Sequence, residues 1–236
     1  MFLTVYGRMP VLEALLDEAV VVEKVLLARS ARGDSVDEIV AAASRRGVRV
    51  QRVAPEKVTR VSGNGRHDQG VVADIVAPGM GELDAWLPGA PARCALLVLD
   101  GVTNPANVGM VIRTVTAAGL DGVVLPRAGV PDLGPLVIKA SAGVAFRATV
   151  LQTPTAAAAV DSLRAAGVEV IGLRGGGESL FDAAIGDRAA FVLGNETDGV
   201  SVDVDRWLSI PLANDVESLN VAVAAGIVAY EVTRRR

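Results

Sequence analysis

The sequence predicts an α/β protein built on a parallel sheet and preceded by a smaller α/β unit. Three observations carry that expectation. Short apolar runs alternate with amphipathic stretches along the chain, the order that sets helices on the faces of a parallel or mixed sheet. Three segments of the second half, 99–113, 191–201 and 210–225, each run from an apolar stretch into a Gly-, Asn- or Pro-rich turn. Each reads as a strand delivering a loop, and loops at the carboxyl ends of strands build the ligand sites of open α/β sheets. Aromatic residues make up only 3% of the 236 residues while 51% are hydrophobic, so Val, Ala and Leu must form a layered core.

Residues 2–77 form the first unit. Tyr6-Gly7 leads into a helix over 10–19, with Val11, Leu12, Leu15 and Leu16 on one stripe. A strand follows at 23–28. A helix over 35–46 carries Val36, Ile39, Val40 and Ala43 on one face and stops at Gly47. Residues 48–53 alternate as a half-buried strand, 55–61 form a short helix, and 70–76 another strand. The segment 77–91 holds Pro78, Gly79, Gly81, Pro88, Gly89 and Pro91, a composition that marks a boundary. The expected division is therefore a domain over 1–77, a linker over 78–91 with a short helix at 83–87, and a second domain over 92–236.

In the second domain, strands are expected at 94–99, 122–125, 147–150, 169–173, 190–193 and 207–210. Helices are expected at 105–118, 136–140, 155–166 and 218–234. Residues 219–230 are apolar or small almost all the way round, the pattern of a helix buried on every face. Loops of the same chain or a second subunit must then cover it.

Bulk properties exclude several classes. A single cysteine, Cys94, allows no disulfide within the chain and suits a reducing cytoplasm; beside an apolar run it reads as a buried structural residue. No secretory signal pattern opens the sequence and no apolar run approaches the roughly 18 residues of a membrane span. A net charge of -4 argues against nucleic-acid binding through a whole-protein field but leaves room for a local basic patch. The cations are almost all Arg, with lysine only at Lys24, Lys57 and Lys139; Arg offers bidentate phosphate contacts, although an Arg-rich codon bias explains the composition equally well. No Cys/His cluster suggests a metal.

Within the three segments, Asn104-Pro105 is explained by helix capping alone. Asn107 lies inside the first turn, where Asn has no propensity advantage, and is the better functional candidate; its plain alternative is a solvated side chain. Ser218 is a natural N-cap for the final helix, whereas Asn220 in its first turn has no such explanation. The run 172–177, Gly-Leu-Arg-Gly-Gly-Gly, lacks the Gly-Lys-Ser/Thr ending of a phosphate-binding loop and reads as the loop after a strand, placed where it could touch a bound cofactor.

These segments resemble the SpoU/TrmH branch of the SPOUT methyltransferases, RNA ribose 2′-O-methyltransferases that use S-adenosylmethionine. The resemblance rests on Asn107, Gly109 and Arg113; on Gly194, Asn195, Glu196 and Gly199; and on Ile210, Pro211, Ser218, Leu219 and Asn220, in family order across 96–230. The first unit, from Tyr6-Gly7 to Ala73, is similar to the small L30e-like RNA-binding domain of that family. It departs by one residue where His67-Asp68-Gln69-Gly70 replaces a direct His-Gln-Gly, which puts a role for His67 in doubt. The resemblance implies a C-terminal parallel-sheet SPOUT domain with a deep trefoil knot, an L30e-like α/β domain before it, and a homodimer.

It also implies a site. Asn107, Arg113, Glu196, Ser218 and Asn220 would be catalytic, and Leu193, Gly194, Ile210, Leu212 and Leu219 would hold the cofactor, with no metal. The ribose hydroxyl must lose its proton as it attacks in line, and positioning supplies much of the acceleration. Arg113 is the family's candidate for assisting that loss, but a guanidinium is always protonated. The physical expectation is that it holds a neighbouring phosphate and stabilises the developing alkoxide; the plain alternative is a surface salt bridge. Glu196 would face the cofactor's positive end or fix Arg113. Gly194 would let the cofactor approach the backbone, against an ordinary tight turn, and the apolar residues would enclose adenine, against simple core packing. Basic groups with RNA-binding potential are Arg8, Arg45, Arg46, Arg60, Arg66, Arg127 and Arg147.

The expectation is a cytoplasmic, homodimeric, S-adenosylmethionine-dependent methyltransferase acting on structured RNA. 23S rRNA comes first and tRNA next, with self-protection against a ribosome-targeting antibiotic as a further purpose. The rivals are a non-catalytic RNA-binding relative, which the intact polar motif residues oppose, and a small-molecule methyltransferase, which the N-terminal domain opposes.

Overall fold

The computed structural model describes residues 2–195 and 197–236, Phe2 by its backbone alone. Along the chain the elements are β1 (Phe2–Tyr6), α1 (Arg8–Leu16), β2 (Val21–Ala28), α2 (Asp34–Arg45), β3 (Arg49–Val53), α3 (Pro55–Ser62), β4 (Val71–Val76), β5 (Met80–Glu82), α4 (Leu83–Trp86), β6 (Cys94–Asp100), α5 (Pro105–Ala118), β7 (Gly122–Pro126), α6 (Pro135–Ala140), β8 (Val150–Thr153), α7 (Ala156–Ala165), β9 (Glu169–Ser179), β10 (Arg188–Gly194), β11 (Arg206–Ser209) and α8 (Val221–Arg235). They form two compact units. One takes Met1–Gly79 together with Leu133–Arg147, the other Met80–Asp132 together with Ala148–Arg236.

The first unit is a mixed four-stranded sheet in the order β1-β4-β2-β3. β4 runs antiparallel to β1 and β2, and β2 runs parallel to β3. Its core is aliphatic, and it includes Ile138 of α6 and Phe146 of the following 3-10 turn, both fully buried. The segment 133–147, expected in the second domain, therefore belongs to this unit. Its apolar residues look the same in sequence whichever core they join. Arg46 ends α2 by collecting carbonyls at the end of α1: its guanidinium donates to Ala14 at 3.1 Å, Leu15 at 3.3 Å, Asp17 at 2.9 Å and Val20 at 2.6 Å. Helix-end carbonyls lack intrahelical donors, so Arg46 completes α1.

The second unit is a seven-stranded sheet in the order β11-β9-β10-β6-β7-β8-β5, with every neighbouring pair parallel. All residues of β6 and β7 are buried, as central strands covered on both faces require. The chain leaves β6 toward β7 on one side and meets β10 on the other, so the strand order reverses at β6, the position where open sheets bind ligands.

Three expectations change here. The segment 78–91 is not only a linker: β5 pairs with β8, Met80 opposite Val150, and Met80 is buried. β8 starts at Val150, not at Arg147: the 3-10 turn Val144–Phe146 ends just before, and 147–149 form the turn and connection that follow it. β9 continues to Ser179, past its expected end. Trp207 lies opposite Gly172 and Leu208 opposite Glu178, so 173–177 leave the ladder as a bulge and the strand then resumes.

α8 packs on α5, with Thr233 Oγ1 donating to the Ala118 carbonyl at 2.7 Å. The helix is not buried on every face. Val223 is 52% exposed and Tyr230 56%, leaving an apolar strip that no described residue covers. Cys94 is buried, and that burial pushes its thiol pKa up, in keeping with a structural residue.

Candidate active site

The loop after β10 is built by its own side chains. Asn195 Oδ1 accepts from the backbone N–H of Thr197 at 2.8 Å and of Asp198 at 2.7 Å, and the Asn195 carbonyl accepts from Gly199 N–H at 3.1 Å. The chain thereby folds back over the end of the strand. A Cβ at Gly194 would stand 1.9 Å from the Gly199 carbonyl group. Gly194 is thus needed because the protein's own backbone crosses it, a closer constraint than the expected approach of a cofactor.

Asp100, at the end of β6, fixes the same crossing. Its buried carboxylate accepts from the Ser201 hydroxyl at 2.8 Å and 3.0 Å, and from the backbone N–H groups of Ser201 and Val202. Sequence reasoning passed over Asp100. Its signal was a lone carboxylate closing an apolar strand.

The loop after β11 runs from Ile210 to Asn220. Asn214 and Asp215 adopt positive φ of 58° and 56°, tolerable for these side chains. Helix α8 begins at Val221 with Asn220 as N-cap, its Oδ1 accepting from Ala222 N–H at 2.9 Å. The expected cap, Ser218, lies two residues earlier in non-helical chain. Asn220 Nδ2 also donates to Oδ1 of Asn107 at 3.0 Å. Asn107 is buried in the first turn of α5, whose own cap is Asn104, accepting from Ala106 N–H at 2.9 Å. The first and third motifs are therefore joined side chain to side chain.

Between these loops lies a cleft of about 420 Å³, within the range of small-molecule sites. Leu193, Gly194, Ile210, Leu212 and Leu219, the five expected cofactor residues, all line it, and so does Ser218. Asn107 and Asn220, hydrogen-bonded to each other, are not among its lining residues. Arg113 does not line it. It is exposed on α5 and has no ion pair among the described residues. Glu196 lies outside the described residues. Three charged lining residues were missed: Arg174 on the β9 bulge, Asp198 in the loop after β10, and Glu217 just before Ser218. Each sits within or beside a quoted motif, but a charged loop residue carries no sign of which way it faces.

The arginines of the first unit sort by partner. Arg46 is engaged as above, and Arg147 pairs with Asp17 at 3.0 Å. In the second unit, Arg127 pairs with Glu82. Arg45, Arg60 and Arg66 are exposed without ion pairs among the described residues. Arg8 donates to Ser35 Oγ at 3.1 Å and to the Gln69 carbonyl at 3.4 Å. Two further arginines, not singled out from sequence, hold the same strand-to-helix loop: Arg32 donates to the Arg29 and Ala31 carbonyls, and Arg52 to the Ala31 carbonyl at 3.4 Å. The residue inserted after His67 has a local role. Asp68 is buried and accepts from Thr59, Ser62 and the Gly70 N–H at 3.1, 3.1 and 2.8 Å, shaping the turn that presents the exposed His67.

Two family profiles match the chain. Residues 95–230 match the sequence profile of the SpoU rRNA Methylase family, and residues 4–80 match one described as RNA 2'-O ribose methyltransferase substrate binding. The chain is 35% identical over 223 residues to the 23S rRNA (guanosine-2'-O-)-methyltransferase RlmB of Xanthomonas campestris pv. campestris, covering 91% of this chain and 89% of the relative. It is 33% identical over 240 residues to the protein of the same name from Xylella fastidiosa, covering 98% and 96%. It superposes on the SpoU methyltransferase AviRb from Streptomyces viridochromogenes in complex with AdoMet, with TM-score 0.68 and 25% identity over 100% of this chain and 90% of that one. A putative RNA methyltransferase of the TrmH family from Porphyromonas gingivalis gives TM-score 0.70 and 26% identity, with 100% and 90% covered.

Proposed function

This chain belongs to the SpoU rRNA methylase family, and we propose on that premise that it transfers a methyl group from S-adenosylmethionine to a ribose 2′-hydroxyl of 23S rRNA. The observation that carries the reading is the cleft in which all five expected cofactor residues converge. Its chemistry suits that cofactor. Leu193, Ile210, Leu212 and Leu219 offer apolar faces for a flat base, while Asp198 and Glu217 set two carboxylates where a ligand carries positive charge. When bound, S-adenosylmethionine supplies an electrophilic methyl group on a sulfonium.

The chain's own residues do the rest. Asn220 and Asn107 hold the start of α8 against the start of α5, keeping the third-motif loop in register with the helix that carries Arg113. Arg113, exposed and without an ion pair among the described residues, binds a phosphate next to the target ribose and stabilises negative charge growing on the 2′-oxygen. In the first unit, Arg8, Arg32 and Arg52, oriented by loop carbonyls and Ser35, present donors to the RNA backbone. A second copy covers the outer faces of α5 and α8, where Met110, Val223 and Tyr230 are exposed. The backbone crossing at Gly194 and the clamp of Asp100 on Ser201 support a trefoil closure around the cleft. An rRNA substrate of the kind the relatives' names give supports a cytoplasmic location.

The test is transfer of a labelled methyl group to separate pools of unmodified 23S rRNA and tRNA, with Arg113→Ala alongside. Incorporation at one ribose of 23S rRNA, lost in R113A while cofactor affinity is retained, is the expected result. Incorporation into tRNA alone would replace the substrate, and failure of the wild-type chain to bind S-adenosylmethionine would overturn the activity.

A further inference from the structure

We infer that Arg174 binds the carboxylate at the amino-acid end of the cofactor, an inference that rests on reading the cleft as an S-adenosylmethionine site. Arg174 lies on the 173–177 bulge of β9 and lines the cleft. Its guanidinium carbon stands 4.2 Å from the centroid of the Trp207 ring. Stacking uses the face of a guanidinium and leaves its N–H edge free. That edge has no hydrogen-bond acceptor and no ion pair among the described residues.

The glycine run around Arg174 acts as its mount. A Cβ at Gly172 would meet the Trp207 ring at 2.5 Å, so glycine there lets the ring lie against the strand. Gly176 has φ +77°, which turns the chain, and both it and Gly175 have open space where a side chain would project. A Cβ at Gly177 would meet the backbone of Leu208 and Trp207 at 2.8 Å, so glycine there lets β9 rejoin β11. The motif that looked like a failed phosphate-binding loop holds one ring and, on it, one guanidinium.

Charge then selects the ligand group. Among the described residues lining the cleft, the charged ones are Arg174, Asp198 and Glu217, one cation and two anions. S-adenosylmethionine carries the complement, a sulfonium and an ammonium with one carboxylate. The two carboxylates match the two positive centres, leaving the guanidinium's planar fork for the carboxylate, a geometry that Arg reads bidentately.

Calorimetric titration of the full chain with three ligands isolates this contact. S-adenosylmethionine and S-adenosylhomocysteine carry the amino-acid end, and 5′-methylthioadenosine lacks it. Arg174→Gln should weaken the first two about tenfold, the scale of one charge-assisted contact, and leave 5′-methylthioadenosine unchanged. R174K should recover part of the loss. Equal weakening of all three ligands, or no weakening of the first two, overturns the inference. So does a loss confined to 23S rRNA binding, which would give the guanidinium to an RNA phosphate. A wild-type chain that binds none of the three would sink the cleft reading itself, a result distinct from a wild type that binds and an R174Q that binds equally well.

Discussion

Asn220 caps α8 with its side-chain oxygen and reaches Asn107, 113 residues earlier, with its nitrogen at 3.0 Å. One amide thus decides where the final helix begins and ties that start to α5. Replacing it separates the two tasks. Asp caps a helix as well as Asn does but has no N–H donor when ionised. N220D should melt close to the wild type, whereas N220A should lose about 1 kcal/mol, roughly 3 °C in a chain of this size. Both should lose methyl transfer at least tenfold. Thermal melts beside the labelling assay check this, and full activity in N220D would show that the Asn107 contact is dispensable.

Gly194 and Gly175 should respond oppositely to the same methyl group. An added Cβ at Gly194 runs into the Gly199 backbone at 1.9 Å, while at Gly175 it meets nothing within 4 Å. G194A should cost more than about 3 kcal/mol and abolish cofactor binding, because backbone cannot move aside as a flexible side chain can. G175A should stay within about 0.5 kcal/mol of wild type. Urea unfolding of the two variants compares them directly.

Asp100→Asn leaves the shape of the β6 terminus but turns a carboxylate that accepts from Ser201 and Val202 into a neutral amide. Hydrogen bonds to a charged group contribute about 1.5–3 kcal/mol, and the loop they hold lines the cleft. D100N should therefore lose stability of that order together with affinity for S-adenosylmethionine, read by unfolding and calorimetry. Loss of stability with unchanged affinity would separate the clamp from the site.

Glu231 gives a pH signature. Hydrogen bonds from Arg234, then Arg235, hold its carboxyl down at about 2 against the partial opposition of burial. A depressed folded-state pKa means that the stabilisation is present above the ordinary carboxylate value of 4.5 and is lost as pH falls toward 2. E231Q should be less stable than wild type at neutral pH. The gap in melting temperature should close between about pH 4.5 and 2, whereas a gap constant with pH would assign the effect to packing.

Legibility in the sequence followed how local each signal was. Both ends of α5 are written in adjacent residues, Asn104-Pro105 at the start and Gly119, in the left-handed conformation, at the stop, and the expected span 105–118 is the observed one. The strands of the parallel sheet are legible as apolar runs because both of their faces are buried. The destination of 133–147 is not, since Ile138 and Phe146 are apolar in either core. The start of α8 was misplaced: the sequence offers Ser218 as the cap and sets Asn220 inside the first turn, whereas the observed cap is Asn220, which Asn107 contacts from more than a hundred residues away. The cofactor residues were readable as motif positions, whereas Asp100, Arg174 and the carbonyl-collecting role of Arg46 depend on which segments meet.

The cleft residues all fall between Leu173 and Ala224, while the unit proposed to meet RNA has its last segment complete at Arg147. Synthesis runs from the N-terminus, and units fold as they emerge. A growing chain therefore owns its RNA-facing surface before any wall of the methyl-donor pocket has been made. Chains that stall in the final quarter would occupy the substrate without modifying it, acting as competitors of the finished enzyme.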